Sequence, residues 1–313
     1  MGLAVYLPLL LPALLAVLAR PLSDRMHPRH ATWLLTGAAA VLAGCGVVAL
    51  ALLVASALVR LPPVASLGRL SRTVLGPDTT YRISVGTLAG ILLTAAAMAA
   101  TASLIRWYRG LAAAHRQARR LPGRGQAVIL DDQAASAYAL PGRPGRIVVT
   151  AGMLEALDDT GRAALLAHER AHLAGFHHLF TSATRLAAAA NPLLRPAARA
   201  VEYTIERWAD EEAASAVGDR RLVANAIGRA ALAATPGRPP GMPAALGAVF
   251  APAHRATHAA GPIPRRVAAL LAPAPPRRLA LLAVVLAVTL LAGVCALKAA
   301  NDLQDLLALA SSY

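Results

Sequence analysis

Cysteine, lysine and aromatic residues are scarce in this chain. It has two cysteines and one lysine, Lys298, and only 4% of its residues are aromatic. Cys45 and Cys295 lie within apolar runs, where a thiol behaves as a small hydrophobic group, so we expect neither a disulfide framework nor a cysteine-based metal site. The net charge of +15 comes almost entirely from arginines, and no stretch combines regularly spaced basic residues with interleaved aromatic residues, which argues against direct nucleic-acid binding.

Charged residues are also few, at 15%, whereas 57% of the 313 residues are hydrophobic. This composition is too apolar for an ordinary soluble domain. Four segments lack charge over about the twenty residues that a helix needs to cross a bilayer, namely 1–19, 33–59, 83–105 and 279–297. Alanine, leucine and valine dominate them without the alternation of a barrel strand, so the sequence predicts a mainly α membrane protein with four transmembrane helices.

The arginines predict how these helices are oriented, because basic residues mark the cytoplasmic side of a span. Arg20 and Arg25 follow the first segment. A larger cluster follows the third segment, at Arg106, Arg109, Arg116, Arg119, Arg120 and Arg124. We therefore expect the amino terminus outside the plasma membrane and residues 106–276 in the cytoplasm, although the segment 60–82, which this topology puts outside, contains arginines too.

The predicted domains are three spans in residues 1–105, a cytoplasmic α+β domain in 106–276, and the fourth span with a short tail in 277–313. Within the middle domain, short apolar runs predict strands at 127–130, 134–140 and 146–150. Prolines and glycines between the last two runs predict a hairpin turn.

Helical spacing of apolar residues begins after Leu157 in the same domain, with Asp158, Asp159 or Thr160 available as the N-cap. A second helix is predicted at 196–217. Residues 236–264 are rich in proline, glycine and alanine, which is typical of a long loop.

The sharpest motif is HERAH, residues 168–172, within the first of these helices. Residues four apart share one helix face, so the imidazoles of His168 and His172 can bind one metal ion. Zinc lowers the pKa of a water molecule that it binds, and Glu169 lies where it can deprotonate that water for attack on a peptide carbonyl. The motif predicts a metallopeptidase with one zinc ion, provided that a third ligand exists.

The acid-rich segment EYTIERWADEE, residues 202–212, offers the third ligand. We predict that Glu206 binds the metal. Asp210 follows it by one helical turn, and its carboxylate can accept the outer ring hydrogen of a ligating histidine. Glu202 is the second candidate for the ligand.

The motifs LLAHERAHLAGFHHLF, ANPLLRP and ERWAD, in this order, resemble the membrane-bound zinc metallopeptidases of the BlaR and MecR type, which are bacterial signal transducers. The resemblance implies three spans before a zincin-like domain and one after it, and a Glu-x-x-x-Asp motif that here matches Glu206 and Asp210. Those transducers also carry a penicillin-binding domain. Only residues 298–313 follow the fourth span here, and Cys295 stands where a Ser-x-x-Lys motif would need serine, so we expect no β-lactam sensor.

Other candidate site residues follow from smaller similarities. The strand pair before the zinc helix resembles that of the same family and of the HtpX and CAAX-protease group, and its edge, at Ala134, Ser136 and Tyr138, could hold a substrate backbone. Donors that could stabilise an oxyanion are Tyr203, His254, Arg265 and Arg266. The two arginines could equally be membrane anchors. We expect that His177 and His178, off the ligand face, do not bind the metal.

Three hypotheses of function remain open. The first is regulatory proteolysis, in which the enzyme cleaves a cytosolic protein such as a BlaI-like transcriptional repressor. The second is a protein quality-control or processing protease of the HtpX or CAAX type. Those relatives place membrane helices between the two zinc motifs, whereas residues 179–201 here are interrupted by arginines and prolines. The third is a membrane receptor or scaffold stapled by a structural metal. The lipid bilayer is a partner in all three, and a homo-oligomer is possible.

Overall fold

The computed structural model describes residues 3–67, 79–123, 125–234, 262–273 and 279–312. The amino-terminal part is helical. It contains a 3₁₀ turn at Leu3–Val5, α1 at Leu7–Arg25, α2 at Pro28–Leu58, α3 at Pro62–Leu67 and α4 at Thr79–Arg120. The strands follow, with β1 at Ala127–Leu130, β2 at Ala137–Leu140 and β3 at Arg146–Thr150.

The remaining elements are helices. They are α5 at Ala151–Glu155, α6 at Asp159–Ala174, α7 at His177–Ala190, a 3₁₀ turn at Pro192–Leu194, α8 at Arg195–Val217, α9 at Arg220–Ala233, α10 at Pro262–Leu271 and α11 at Leu279–Ser311. Of the predicted loop at 236–264, residues 262–264 belong to the first turn of α10, and the other residues lie outside the described part of the chain.

Four of the described helices, α1, α2, α4 and α11, are long and apolar enough to cross a membrane. They overlap the four uncharged segments of the sequence, as expected for a membrane protein. Helix α1 is displaced, since it begins at Leu7 and continues past residue 19 to Arg25, and α2 begins five residues before the predicted span. The other two helices are much longer than predicted. Helix α4 continues to Arg120 without a break at residue 105, and α11 continues to Ser311.

The largest apolar core joins these helices to the part of the chain that carries the zinc motifs. Helices α1, α2 and α11 contribute Leu15, Leu35, Leu42 and Val288, among others. Helices α7 and α8 and the 3₁₀ turn between them contribute to the same core, through Phe180, Ala187, Ala188, Leu194, Ala197, Val201, Ile205 and Trp208. The part of the chain that carries these motifs also has two smaller apolar clusters of its own, one where α6, α8, α9 and α10 meet and one between the sheet and α6.

The small sheet has the order β1-β3-β2. Strands β2 and β3 form the predicted antiparallel hairpin, and β1 pairs with β3 in parallel. Tyr138, Leu140 and Val148 pack against the carboxyl-terminal part of α4, whereas Ile147 and Val149 face α6. The sheet thus lies between the long α4 and the helix that bears the HERAH motif.

Candidate metal centre

Helix α6 presents the two histidines of HERAH to one point. Asp158 caps the helix by accepting a hydrogen bond from the backbone N–H of Gly161, at 2.8 Å. The Nε2 atoms of His168 and His172 lie 3.1 Å apart, and both side chains are mostly buried. Such close imidazole nitrogens form half of a metal-binding set.

Helix α8 brings Glu206 to the same point. One carboxylate oxygen lies 3.6 Å from Nε2 of His172 and the other 3.7 Å from Nε2 of His168. Ligand atoms about 2.0–2.1 Å from a tetrahedral zinc ion are roughly 3.3 Å from one another, so the spacing fits zinc. In the described part of the chain, these three residues form the one cluster of histidine, cysteine and acidic side chains that could hold a metal.

Asp210 lies behind the cluster, one turn after Glu206. Its Oδ1 atom is 3.0 Å from Nδ1 of His168, the nitrogen that faces away from the cluster. Arg266 of α10 binds Asp210 through two nitrogens, at 2.6 and 2.8 Å, and reaches Glu206 at 2.8 Å. Although burial alone would raise it, the pKa of Asp210 is lowered to about 2, because Arg266 and His168 stabilise the carboxylate.

Glu169 is buried beside the two histidines. Its carboxylate accepts a hydrogen bond from the backbone N–H of Ala139 in β2. Burial raises the pKa of Glu169 to about 7, against the opposing pull of His168. A carboxylate in this state can exchange a proton near neutral pH.

The centre is rich in buried acidic groups. The carboxylates of Glu206 and Asp210 share the guanidinium of Arg266, and Glu169 lies beside them. Against the effect of burial, Asp210 raises the pKa of His168, and a divalent metal ion would compete with that proton for the same negative charge. Charge and spacing therefore agree that the donor set fits a zinc ion.

His177 is part of this centre, and the sequence analysis missed its role. Its Nδ1 atom lies 3.0 Å from Nδ1 of His172. When Nε2 of His172 binds a metal, its Nδ1 carries hydrogen and donates it to His177. Burial lowers the pKa of His172 well below its usual range and that of His177 to about 3, so both rings are neutral. Asp210 and His177 thus hold the outer nitrogens of the two ligand histidines.

The turn between α6 and α7 is shaped to deliver His177. Phe176 adopts a left-handed conformation, with φ 49°, which is strained for a bulky residue. A Cβ on Gly175 would lie 2.5 Å from Nε2 of His177, so only glycine leaves room for the ring. The ring then packs against Trp208 of α8, with ring centroids 4.6 Å apart.

The other residues singled out by sequence make different contacts. Glu202 pairs with Arg185, at 2.8 Å, and not with the histidines. Arg265 pairs with Asp24 at 2.6 Å and lies over the ring of Tyr203. Unlike Arg266, it is half-exposed. His254 lies outside the described residues.

The predicted substrate edge differs by one residue in register. The backbone N–H of Ser136 donates a hydrogen bond to the Thr150 hydroxyl, and the backbone carbonyl of Ser136 accepts one from the N–H of Thr150. The carbonyl of Ala134 accepts a hydrogen bond from the Thr150 hydroxyl. Because pairing alternates along an antiparallel ladder, Tyr138 also bonds towards β3. The backbone groups on the free edge of β2 belong to Ala137 and Ala139. The aromatic ring of Tyr138 is buried against α4.

The chain combines long apolar helices with a His-His-Glu cluster, which is the ligand set of several zinc peptidases. The model of peptidase family M48 matches residues 99–189, which supports a metallopeptidase of that family. The match includes HERAH and His177 and ends before Glu206. It does not extend to the BlaR and MecR resemblance, which stays a prediction. No curated protein and no solved structure matches the chain.

We predict that His177→Phe weakens zinc binding about 10- to 100-fold, because the ring shape is kept while the acceptor for His172 is lost. His177→Asn should restore most of the affinity, since its amide oxygen can replace Nδ1 as acceptor. His178→Phe is the matched control and should bind zinc as the wild type does. Competition with a chromophoric chelator measures the affinity. Equal zinc affinity of His177→Phe and wild type would contradict this role.

Arg266→Met should destabilise the protein by about 3–5 kcal/mol, because it leaves two buried carboxylates without their partner. The neighbouring Arg265→Met is the control. It breaks a half-exposed ion pair and should cost about 1 kcal/mol or less. Thermal unfolding of the detergent-solubilised protein compares the two variants. A similar Tm for both would show that the Arg266 network contributes little to stability.

Proposed function

We propose that this protein is a membrane-integrated zinc endopeptidase. His168, His172 and Glu206 hold the ion. The observation that carries the proposal is the convergence of these three donor atoms, from two helices, at the spacing of zinc ligands. The M48 match supports the same class of enzyme.

The bound zinc would supply a Lewis acid that lowers the pKa of a water molecule and polarises the scissile carbonyl. Glu169 accepts a proton from the attacking water and passes it to the leaving amine. The backbone N–H of Ala139 fixes the orientation of this carboxylate. Asp210 and His177 hold the imidazoles in the tautomer that leaves Nε2 free for the metal.

The substrate is a polypeptide in extended conformation. It adds to the free edge of β2, where Ala137 presents its N–H and carbonyl and Ala139 presents its carbonyl. Since Ala139 also touches Glu169, a peptide along this edge passes the base. Main-chain recognition of this kind requires little sequence specificity.

A structural metal is the non-enzymatic alternative, and the ligand count argues against it. Structural zinc sites have four protein ligands, whereas catalytic sites have three and an open position. The described residues provide three. A carboxylate at Glu169, buried next to the ligands yet outside the ligand set, has a use only in an enzyme.

Two substrate classes fit the enzyme. The BlaR and MecR resemblance favours a cytosolic repressor of the BlaI type, cleaved in response to a signal that arrives through the membrane helices. The packing of α7 and α8 among α1, α2 and α11 favours a processing or quality-control protease of the HtpX or CAAX type. Both place the centre on the cytoplasmic side of the plasma membrane.

Glu169→Gln should keep its zinc and lose activity by about 10²- to 10⁴-fold, because the amide cannot accept the proton of water. Glu155→Gln, an exposed change in α5, serves as the control and should be fully active. Metal content and cleavage of an unstructured protein are measured on the same purified, zinc-loaded samples. Cleavage by Glu169→Gln at the wild-type rate would rule out this base.

Substrate trapping separates the two substrate classes. Tagged Glu169→Gln protein should retain its substrate in cells, and the double variant with His168→Ala, which also loses a metal ligand, should not. Mass spectrometry identifies proteins captured by the first variant alone. A soluble DNA-binding repressor would support regulatory proteolysis and exclude quality control as the main role. A varied set of membrane proteins would support quality control and exclude regulatory proteolysis as the main role.

A further inference from the structure

The segment between His172 and Glu206 is a helical hairpin that packs into the membrane bundle. It consists of α7, the 3₁₀ turn and the first half of α8, and we call residues 186–194, with the sequence LAAAANPLL, its tip. Both ends of the hairpin lie at the metal centre. The two legs therefore enter and leave on the same side.

The tip lies deep within the candidate spans. A Cβ on Gly46 of α2 would lie 3.8 Å from Nδ2 of Asn191 and 3.8 Å from the carbonyl oxygen of Pro8 in α1. Gly46 is thirteen residues into the uncharged segment 33–59, which is about 20 Å along a helix. Pro8 is likewise in the middle of an uncharged segment. Nearer the metal centre, a hydrogen bond of 2.8 Å joins Thr32 of α2 to Thr204 of α8. The second leg therefore runs alongside α2.

The tip is suited to an apolar surrounding. It contains no charged residue, and Leu193 is 45% exposed, so its side chain points away from the protein. Backbone outside a helix is tolerated in a bilayer only where its polar groups are paired. Asn191 pairs such groups at the turn. Its side-chain oxygen accepts a hydrogen bond from the backbone N–H of Leu193, and its backbone carbonyl accepts one from the N–H of Leu194.

The arginines that interrupt this stretch do not oppose a membrane location. Arg185 is paired with Glu202 across the two legs. Arg195 follows the tip directly and Arg199 lies one turn further along α8; both are exposed, and arginines at such depth are accommodated by snorkelling, local thinning of the bilayer and water defects. Pro192 and Pro196 lie at the turn and in the first turn of α8, positions that proline favours.

The length of α7 limits how far the hairpin reaches. Its 14 residues span about 21 Å, less than the 30 Å or so of a hydrocarbon core. We infer that residues 177–203 form a re-entrant hairpin whose tip is immersed in the acyl chains of the bilayer. Because His172 and Glu206 flank this hairpin, the metal centre lies at the membrane face from which the hairpin enters. If the proposed peptidase activity holds, bonds in membrane-proximal segments are its nearest substrates.

Spin labels measure this location without any need for catalysis. In a background of Cys45→Ala and Cys295→Ala, one label is attached at Leu193→Cys in the full-length, zinc-loaded protein. Two controls have almost the same exposure, 44% at Val48 of α2 and 42% at Leu222 of α9, against 45% at Leu193. The proteins are reconstituted in vesicles of phosphatidylethanolamine and phosphatidylglycerol. Collision rates with oxygen, which partitions into lipid, and with a water-soluble nickel complex are compared.

The label at Leu193 should behave like that at Val48, with frequent oxygen collisions and few nickel collisions, and unlike that at Leu222. Frequent nickel collisions at Leu193 would place the tip in water and overturn the inference. Low collision rates with both reagents would mean that protein covers the tip, and would also overturn it. Leu186→Cys repeats the measurement at a second tip position. Peptidase activity of the same vesicles is recorded separately, so a failure of the proposed function is distinguished from a failure of this inference.

Discussion

The structure depends on the pairing of buried charges around Arg266. The guanidinium joins Asp210 to Glu206, Asp210 contacts His168, and these side chains are at most 18% exposed. In an apolar bundle each of these groups alone would be too costly to bury. Together they form a network that α6, α8 and α10 share. The same network fixes the helices and gathers the acidic groups beside which a divalent cation would be stabilised.

Local patterns in the sequence predicted the parts of the fold that depend on neighbouring residues. The strands, the zinc helix and α8 were found close to their observed bounds because apolar periodicity and caps are local signals. The network itself is not local, since Arg266 is 56 residues from Asp210 and follows a segment of loop composition. Sequence named Arg266 only as one of four possible donors. Its partners could not be deduced without the packing of α10 on α8.

His177 was missed for a different reason. In a continuous helix, residues five apart lie on different faces, so His177 should point away from His172. The left-handed Phe176 ends α6 and starts α7 in a new direction, which turns the ring back towards the ligand. Gly175 hinted at this, because glycine after a helix often marks its end. A glycine at this position does not predict the direction of the next helix, because that direction depends on the tertiary contact between His177 and Trp208.

The same limitation explains why residues 179–201 looked unsuited to a membrane. A sequence window counts arginines and prolines as breaks, but cannot show that Arg185 faces Glu202 or that Pro192 stands in a turn. Once the pairing is known, the uncharged length between Arg185 and Arg195 becomes the informative quantity. It is too short to span a bilayer and long enough to enter one. In the proposed enzyme, a helix pair connected by such a segment would keep the metal at the membrane surface, and the bilayer would then determine which peptide bonds reach Glu169.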